Sequence, residues 1–324
     1  MKTPSFWSSK TFLSTLLVPV SIIYDMIGTL SRAKIRPAAF PVPIICIGNL
    51  TAGGAGKTPV ALYIGERLKA KNINAYFLSR GYGGRLEGPV LVKPEKHKAA
   101  DVGDEPLLLA ELLPTVVAKD RVSGANYAIT KGAKAIIMDD GFQNRSIIKS
   151  LSLLVIDGFR GFGNGRLIPA GPLRERPEDG FKRAHAVIVI NRTTTLPKLP
   201  TDRPAFFART YPKDAANFKG KKLFAFCGIA YPQKFFEMLR TTGAKVVEEI
   251  AFADHYQYTA LDLRKLLLKS YVEDALLITT SKDYARLPEQ FRDSVAVMEL
   301  GIEFENPAIF DSVLDYIVKP NENA

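Results

Sequence analysis

Lys57 and Thr58 close the run Gly48 to Pro59, GNLTAGGAGKTP, which follows the apolar stretch 42–47 (VPIICI). A lysine ammonium here can reach the β- and γ-phosphates of a nucleotide, and the adjacent hydroxyl can ligate Mg²⁺. The backbone N–H groups of Thr51, Ala52, Gly53, Gly54, Ala55 and Gly56 can wrap the polyphosphate, because glycine removes side-chain crowding at the positive end of the following helix. The strict pattern G-x-x-x-x-G-K-[ST] wants glycine where this chain has Thr51. A glycine-rich turn with an exposed lysine is the alternative, but the buried strand before and the helical run after favour a phosphate-binding loop.

The second half of a metal site stands at 135–141, AIIMDDG, an apolar strand ending in Asp139 and Asp140. A strand-terminal carboxylate beside a phosphate loop is the expected holder of Mg²⁺, and either aspartate fits. Three more carboxylates, Asp101, Asp104 and Glu105, precede the helical run 107–113. They can cap that helix, or one can act as a general base. The chain has 3 histidines. His97 sits in a lysine-rich loop and His185 begins a strand, whereas His255, in FADHY, follows a strand end where a loop can aim it at a site. Arg80 follows the strand 75–79 (AYFLS), at the mouth of a sheet where ligands bind. The loop 161–178 carries Asn164, Arg166, Arg174 and Arg176 among glycines and prolines, a rigid basic segment suited to phosphate contacts. The segment 279–283 (TTSKD) ends a strand and is a further candidate for nucleotide contact.

The elements that position these groups read as two α/β layers in a chain of 324 residues. Strands are predicted at 42–47, 75–79, 135–139, 151–156 and 184–191, then at 222–227, 246–252, 276–280 and 295–300. The Thr/Pro-rich stretch 192–204 reads as a linker. Helices are predicted at 232–241 and 260–269 in the second layer. The 2 cysteines, Cys46 and Cys227, lie in apolar strands with no disulfide framework, as in a reducing compartment. Net charge is +11, which implies an anionic surface or substrate. Nucleic acid is excluded as the expected partner, since no RNP-like motif, zinc-finger spacing or basic run interleaved with aromatics is present.

The segment 11–30 (TFLSTLLVPVSIIYDMIGTL) is apolar with a narrow polar face of Thr11, Ser14, Thr15, Ser21, Asp25 and Thr29. It contains Pro19 and ends its clean apolar stretch at Asp25, too early for a span of about 20 residues. Lys2, Lys10, Arg32, Lys34 and Arg36 flank it. The expectation is a monotopic helix on an anionic membrane surface, with packing on the protein's own domain as the alternative.

In order along the chain, GNLTAGGAGKTP, LSRGYGG, VGDEP, DDGFQ, the GNG…PAGPLRE loop, FADHY and TTSKDYARL resemble the tetraacyldisaccharide 4′-kinase family of the lipid A pathway. The resemblance runs over nearly the whole length, and the family's own loop looks like the one at Thr51. It implies a P-loop NTPase-type α/β/α domain with a second, smaller α/β domain and an N-terminal helix at the cytoplasmic face of the bacterial inner membrane. The corresponding divisions are 1–36, 37–203 and 204–324, with a monomer as the expected state. It further implies transfer of the γ-phosphate of ATP, with Mg²⁺, to the 4′-hydroxyl of a tetraacyl disaccharide 1-phosphate. Asp104 maps onto the general base and His255 onto its partner. Arg80, Arg121, Asn164, Arg174 and Glu175 are carried over as substrate-binding. One position departs: the residue after DDGFQ is often histidine in the family and here is Asn144. The rival function is a P-loop regulatory or metallochaperone NTPase. Guanine recognition through N-K-x-D has no support there, because Lys282 and Asp283 are adjacent.

Overall fold

The computed structural model describes residues 4–33, 35–193 and 196–319, so Lys2 and Lys34 lie outside the described residues. Among the described residues thirteen strands are formed: β1 (Ile44–Gly48), β2 (Ala75–Ser79), β3 (Val90–Leu91), β4 (Thr115–Val117), β5 (Ala135–Asp139), β6 (Leu151–Asp157), β7 (Ala186–Ile190), β8 (Ala205–Pro212), β9 (Lys222–Cys227), β10 (Lys245–Ala251), β11 (Leu276–Thr280), β12 (Ala296–Met298) and β13 (Leu300–Phe304). They make a nine-stranded sheet in the order β13-β8-β7-β6-β1-β5-β2-β4-β3 and a four-stranded sheet in the order β10-β9-β11-β12.

In the large sheet only the edge strands β13 and β3 run antiparallel to their neighbours. The central strands are continuous apolar runs buried on both faces, the composition that parallel sheets covered by helices require. One face packs under the helices Lys57–Ala70 and Pro307–Val318 through Ile64, Leu68, Phe310 and Leu314. The other packs under Arg121–Thr130 through Ala125 and Ala128. β1 lies between β5 and β6: the chain leaves β1 for β2 on the β5 side and later crosses from β5 to β6 on the other. A crevice forms at the carboxyl ends of strands at such a switch point, and the glycine-rich loop sits there. The small sheet is all parallel, with the helices Pro232–Thr241 and Ala260–Val272 on its two faces.

Three expectations change. The sheets do not divide at 203/204: β8 pairs with β7, and the chain returns to the large sheet as β13, which pairs with β8. The stretch 295–300 is therefore not one strand, since Met298 belongs to the small core and Phe304 to the large one, where it stacks on Phe310 at 4.3 Å. At the N-terminus, the single helix predicted over 11–30 is two, Phe12–Leu16 and Val18–Ala33. Pro19 is the cause: it cannot donate a backbone N–H, so it is accommodated in the first turn of a new helix rather than inside an old one.

The polar face of these helices points inward. Ser14 and Thr15 hydroxyls accept from Arg166 Nη1 at 2.7 and 3.0 Å, Ser21 donates to Leu167 O at 2.8 Å, and Asp25 pairs with Arg176 at 2.8 Å. Phe12, Leu16, Ile22, Ile23, Met26, Ile27 and Leu30 are all exposed.

Candidate active site

The loop after β1 is braced before any ligand arrives. Ala52 N–H donates to Pro172 O at 2.7 Å, and Asn49 Nδ2 donates to Thr51 O at 2.7 Å and Thr51 Oγ1 at 3.2 Å. Thr51, the position that departs from the strict pattern, is thus held by its own neighbour. Gly56 has φ +79° and caps the helix Lys57–Ala70; a Cβ there would lie 2.8 Å from Ile190 Cδ1. Only glycine takes that backbone without strain. Lys57 and Thr58 therefore occupy the first turn, where free N–H groups and the helix dipole favour an anion.

Lys57 Nζ donates to Asn49 Oδ1 at 3.1 Å and lies 3.5 Å from Asp140 Oδ1. Arg174 Nη1 holds both Asp140 oxygens at 3.0 and 3.2 Å and reaches Gln143 Oε1 at 3.3 Å. Burial pushes the Asp140 carboxyl up, but Lys57 and Arg174 outweigh it and leave the group below its ordinary value. Asp139 differs. Burial, against the pull of Lys57, raises it to about 6, and its Oδ1 is buried without a hydrogen-bond partner among the described residues. A hydroxyl on Thr58 and an unpartnered carboxylate oxygen on Asp139 are hard donors of the kind Mg²⁺ selects, so the residues present fit the ion.

Across the crevice, Asp104 heads the helix Asp104–Ala110 and is 4% exposed. Its Oδ2 is bonded to His255 Nδ1 at 2.9 Å and accepts from Arg286 Nε at 2.7 Å. His255 and Arg286 come from the small sheet's side, so the pair is assembled between the two layers. The hydrogen bond to Asp104 raises the His255 pKa, against the opposing effect of burial. His255 has φ +58° and Asp140 φ +50°, left-handed backbone that is uncommon for such residues and concentrates at functional sites. Beside them Lys282 Nζ donates to Glu105 Oε1 at 2.6 Å. Burial pushes Glu105 up, yet Lys282 brings it down to about 2. Lys282 also senses the charges of Asp139 and Asp104, which ties the two halves of the crevice electrostatically.

Sequence reasoning missed Arg286, whose side chain is 1% exposed and also donates to Gly228 O at 2.9 Å and Asp283 Oδ1 at 3.0 Å. Its sequence signals are its place in the TTSKDYARL motif and its spacing of three from Asp283, the pattern of a local ion pair. In the segment 279–283, expected to contact nucleotide, two side chains are tied within the small layer. Thr279 donates to Phe226 O, and Asp283 is taken by Arg286, Tyr258, Thr280 and Gly228 N–H.

Two carried-over substrate residues are likewise engaged inside the protein. Asn164 donates to Phe6 O and Ala170 O and accepts from Arg166 N–H, closing its own loop. Glu175, 1% exposed, is bound by Gln143 at 3.0 Å and Arg183 at 2.6 Å; through Gln143 it braces Asn49 O. Of the loop's arginines only Arg174 reaches the phosphate side, because Arg166 and Arg176 hold the N-terminal helices. Arg80 is exposed. Arg121 is buried, its Nε unpartnered, and burial with the nearby Arg80 lowers it to about 10. Asn144 Oδ1 accepts from Ser146, shaping the turn after β5.

The family model described as tetraacyldisaccharide-1-P 4′-kinase matches residues 13–319. The chain belongs to this family. It is 45% identical to the tetraacyldisaccharide 4′-kinase of Rhodospirillum rubrum, over 98% of either chain, and 46% identical to that of Rhodospirillum centenum, over 97% of this chain and 96% of the relative. Among solved structures it is similar to the "apo" form of LpxK from Aquifex aeolicus in complex with ATP, with a TM-score of 0.78 and 28% identity, covering 95% of this chain and 100% of that one. The mixed α/β architecture, dominated by a large parallel sheet, is thus the family's own.

Proposed function

We propose that the chain transfers the γ-phosphate of ATP to the 4′-hydroxyl of a tetraacyl disaccharide 1-phosphate, the acceptor named by its family. The observation that carries this assignment is the crevice itself: a braced phosphate loop on one side and a buried Asp104–His255 pair on the other. Lys57 and the loop amides bind the β- and γ-phosphates, and Arg174 orients them. Thr58 and Asp139 hold Mg²⁺, which when bound neutralises charge on the phosphate oxygens. Asp104 accepts the proton of the sugar hydroxyl as its oxygen bonds to the γ-phosphorus, and ADP leaves. His255 and Arg286 hold Asp104 in place. Phosphoryl transfer asks the protein mainly for positioning and charge stabilisation, which this arrangement supplies.

The regulatory NTPase alternative is not favoured. Lys282 and Asp283, the residues nearest to a guanine-reading motif, are committed to Glu105 and to Arg286. Labelled γ-phosphate should appear on a tetraacyl disaccharide 1-phosphate in mixed micelles; release of free phosphate with the lipid unlabelled would support the regulator instead.

The inward polar face of the N-terminal helices supports seating at a membrane surface on the cytoplasmic side. An exposed row of large apolar side chains beside the exposed Lys10 and Arg36 has the chemistry of an interfacial anchor. No helix among the described residues is long and apolar enough to cross a membrane. Serine at Ile22, Ile23, Met26 and Ile27 together should reduce co-sedimentation with anionic vesicles by roughly 10-fold or more, on a scale of about 25 cal/mol per Å² of apolar area removed. ATP affinity, measured by calorimetry, should not change.

A further inference from the structure

Lys57, Arg174 and Arg121 beside the phosphate loop are engaged, whereas Arg160 is not. Lys57 and Arg174 hold Asp140, and Arg121 Nη1 donates to Ala118 O. Arg160, three residues beyond the end of β6, has no side-chain hydrogen bond or ion pair to any described residue. Its guanidinium carbon Cζ lies over the Tyr231 ring, 3.5 Å from the centroid. Tyr231 immediately precedes the helix Pro232–Thr241 of the small sheet.

Both groups lie on the phosphate loop. A Cβ built at Gly53, where φ is +102°, would be 3.6 Å from Arg160 Nη1 and 3.7 Å from Tyr231 Cε2, in ordinary van der Waals contact. Arg160 also lines a cleft of about 1520 Å³ that includes Gly54. The nearby carboxylate of Asp157 is already paired with Lys234 at 2.9 Å. Burial lowers the Arg160 pKa, a sign of lost hydration. A half-buried guanidinium carries five N–H donors, and leaving them without acceptors is unfavourable. An anion on the loop would satisfy them.

We propose that Arg160 is a catalytic residue, an arginine supplied from the same chain that donates to the oxygens of the transferring phosphoryl group, and that Tyr231 is a positioning residue that aims it. This rests on the kinase assignment above. The chemistry is unchanged in its balance: the bond from the sugar oxygen to the γ-phosphorus forms, the bond from that phosphorus to the oxygen of ADP breaks, and the proton goes to Asp104. Arg160 keeps its own proton and stabilises charge that grows on the phosphoryl oxygens, the role such arginines play in other phosphoryl-transfer sites. Because Tyr231 belongs to the small sheet's side, the arginine is correctly aimed only when both walls of the cleft are in place.

The test compares the full-length wild type with R160A, R160K and Y231L in the labelled-transfer assay, alongside ATP and ADP affinities from calorimetry and a melting curve for each variant. R160A should lower kcat by about 10²-fold with ADP affinity changed by less than about threefold, since the interaction grows in the transition state. R160K should recover no more than a small part, because an ammonium cannot reproduce the planar fork. Y231L should lower kcat by about tenfold with the lipid KM unchanged, a split that loss of packing alone would not produce. A kcat for R160A within threefold of wild type overturns the proposal. So does a loss confined to the lipid KM, which would place Arg160 on the acceptor's phosphate. Should R160A not fold, R160K decides, since wild-type activity there removes the need for a guanidinium. A wild type that transfers no phosphate to lipid refutes the kinase assignment instead.

Discussion

Asp104→Asn should lower kcat by about 10³-fold, within the range measured for loss of a general base, while KM for ATP stays within about twofold. Asparagine is the informative replacement because Asp104 has a second task. Its Oδ2 accepts from Arg286 Nε, and the Arg286 side chain is 1% exposed. Alanine would leave that guanidinium with Asp283 as its remaining carboxylate and risks a stability loss of about 3–5 kcal/mol, the usual consequence of breaking a buried pair. Asparagine preserves shape and a hydrogen-bond acceptor but cannot take up a proton at neutral pH. A kcat unchanged in D104N would remove Asp104 from the role of base.

The same variant has a second readout. Asp104 raises the His255 pKa through their 2.9 Å contact. Without the carboxylate charge, His255 should titrate at lower pH than in the wild type, which imidazole NMR resonances report directly. The linkage follows in sign. A histidine whose pKa is higher folded than unfolded contributes stability that is fully present below its unfolded value of about 6.5 and is lost as pH rises through the folded value. D104N should therefore flatten the decline in stability across that window.

Lys57→Ala is the second large effect, about 10³-fold in kcat. Lys57 is the cation at the first turn of the helix that follows the loop, 13% exposed in its side chain and held by Asn49 and Asp140. In the proposed reaction it would stabilise charge that develops on the β- and γ-phosphates, and groups of that kind are worth about 10²–10³-fold each in a water-poor site. Its removal does not disturb the core, since Val60, Ala61 and Ile64 anchor the same helix. ADP should bind nearly as before and ATP more weakly, a difference that calorimetry can separate from the single-turnover rate. Equal weakening for ADP and ATP with kcat intact would assign Lys57 to ground-state binding alone.

Much of the site lay open to inspection in the chain because its parts are local. A buried strand, a glycine-rich turn and a helix start occupy consecutive residues, so 44–70 could be read with its chemistry attached. Asp139 and Asp140 could be read for the same reason, as carboxylates at the end of an apolar run. The strands β2, β9 and β11 were predicted at their observed bounds, since each is a short apolar stretch between breakers.

What the sequence could not carry is pairing between distant segments. Asp104 and Arg286 are 182 residues apart, and no local pattern says that a guanidinium from the small layer closes on a carboxylate of the large one. The same holds for Arg160 against Tyr231, for β13 returning to β8, and for Asn164 and Glu175 turning inward. Even the N-terminal segment shows the division. Its periodicity pointed to one amphipathic helix over 11–30, where the structure has two, and periodicity does not tell which face meets the protein. Only the tertiary structure decided that Ser14, Ser21 and Asp25 face in and the large apolar side chains face out. Local backbone preference and hydrophobic period act over a few residues, whereas the orientation of a face and the partner of a buried charge depend on which surfaces the whole chain brings together.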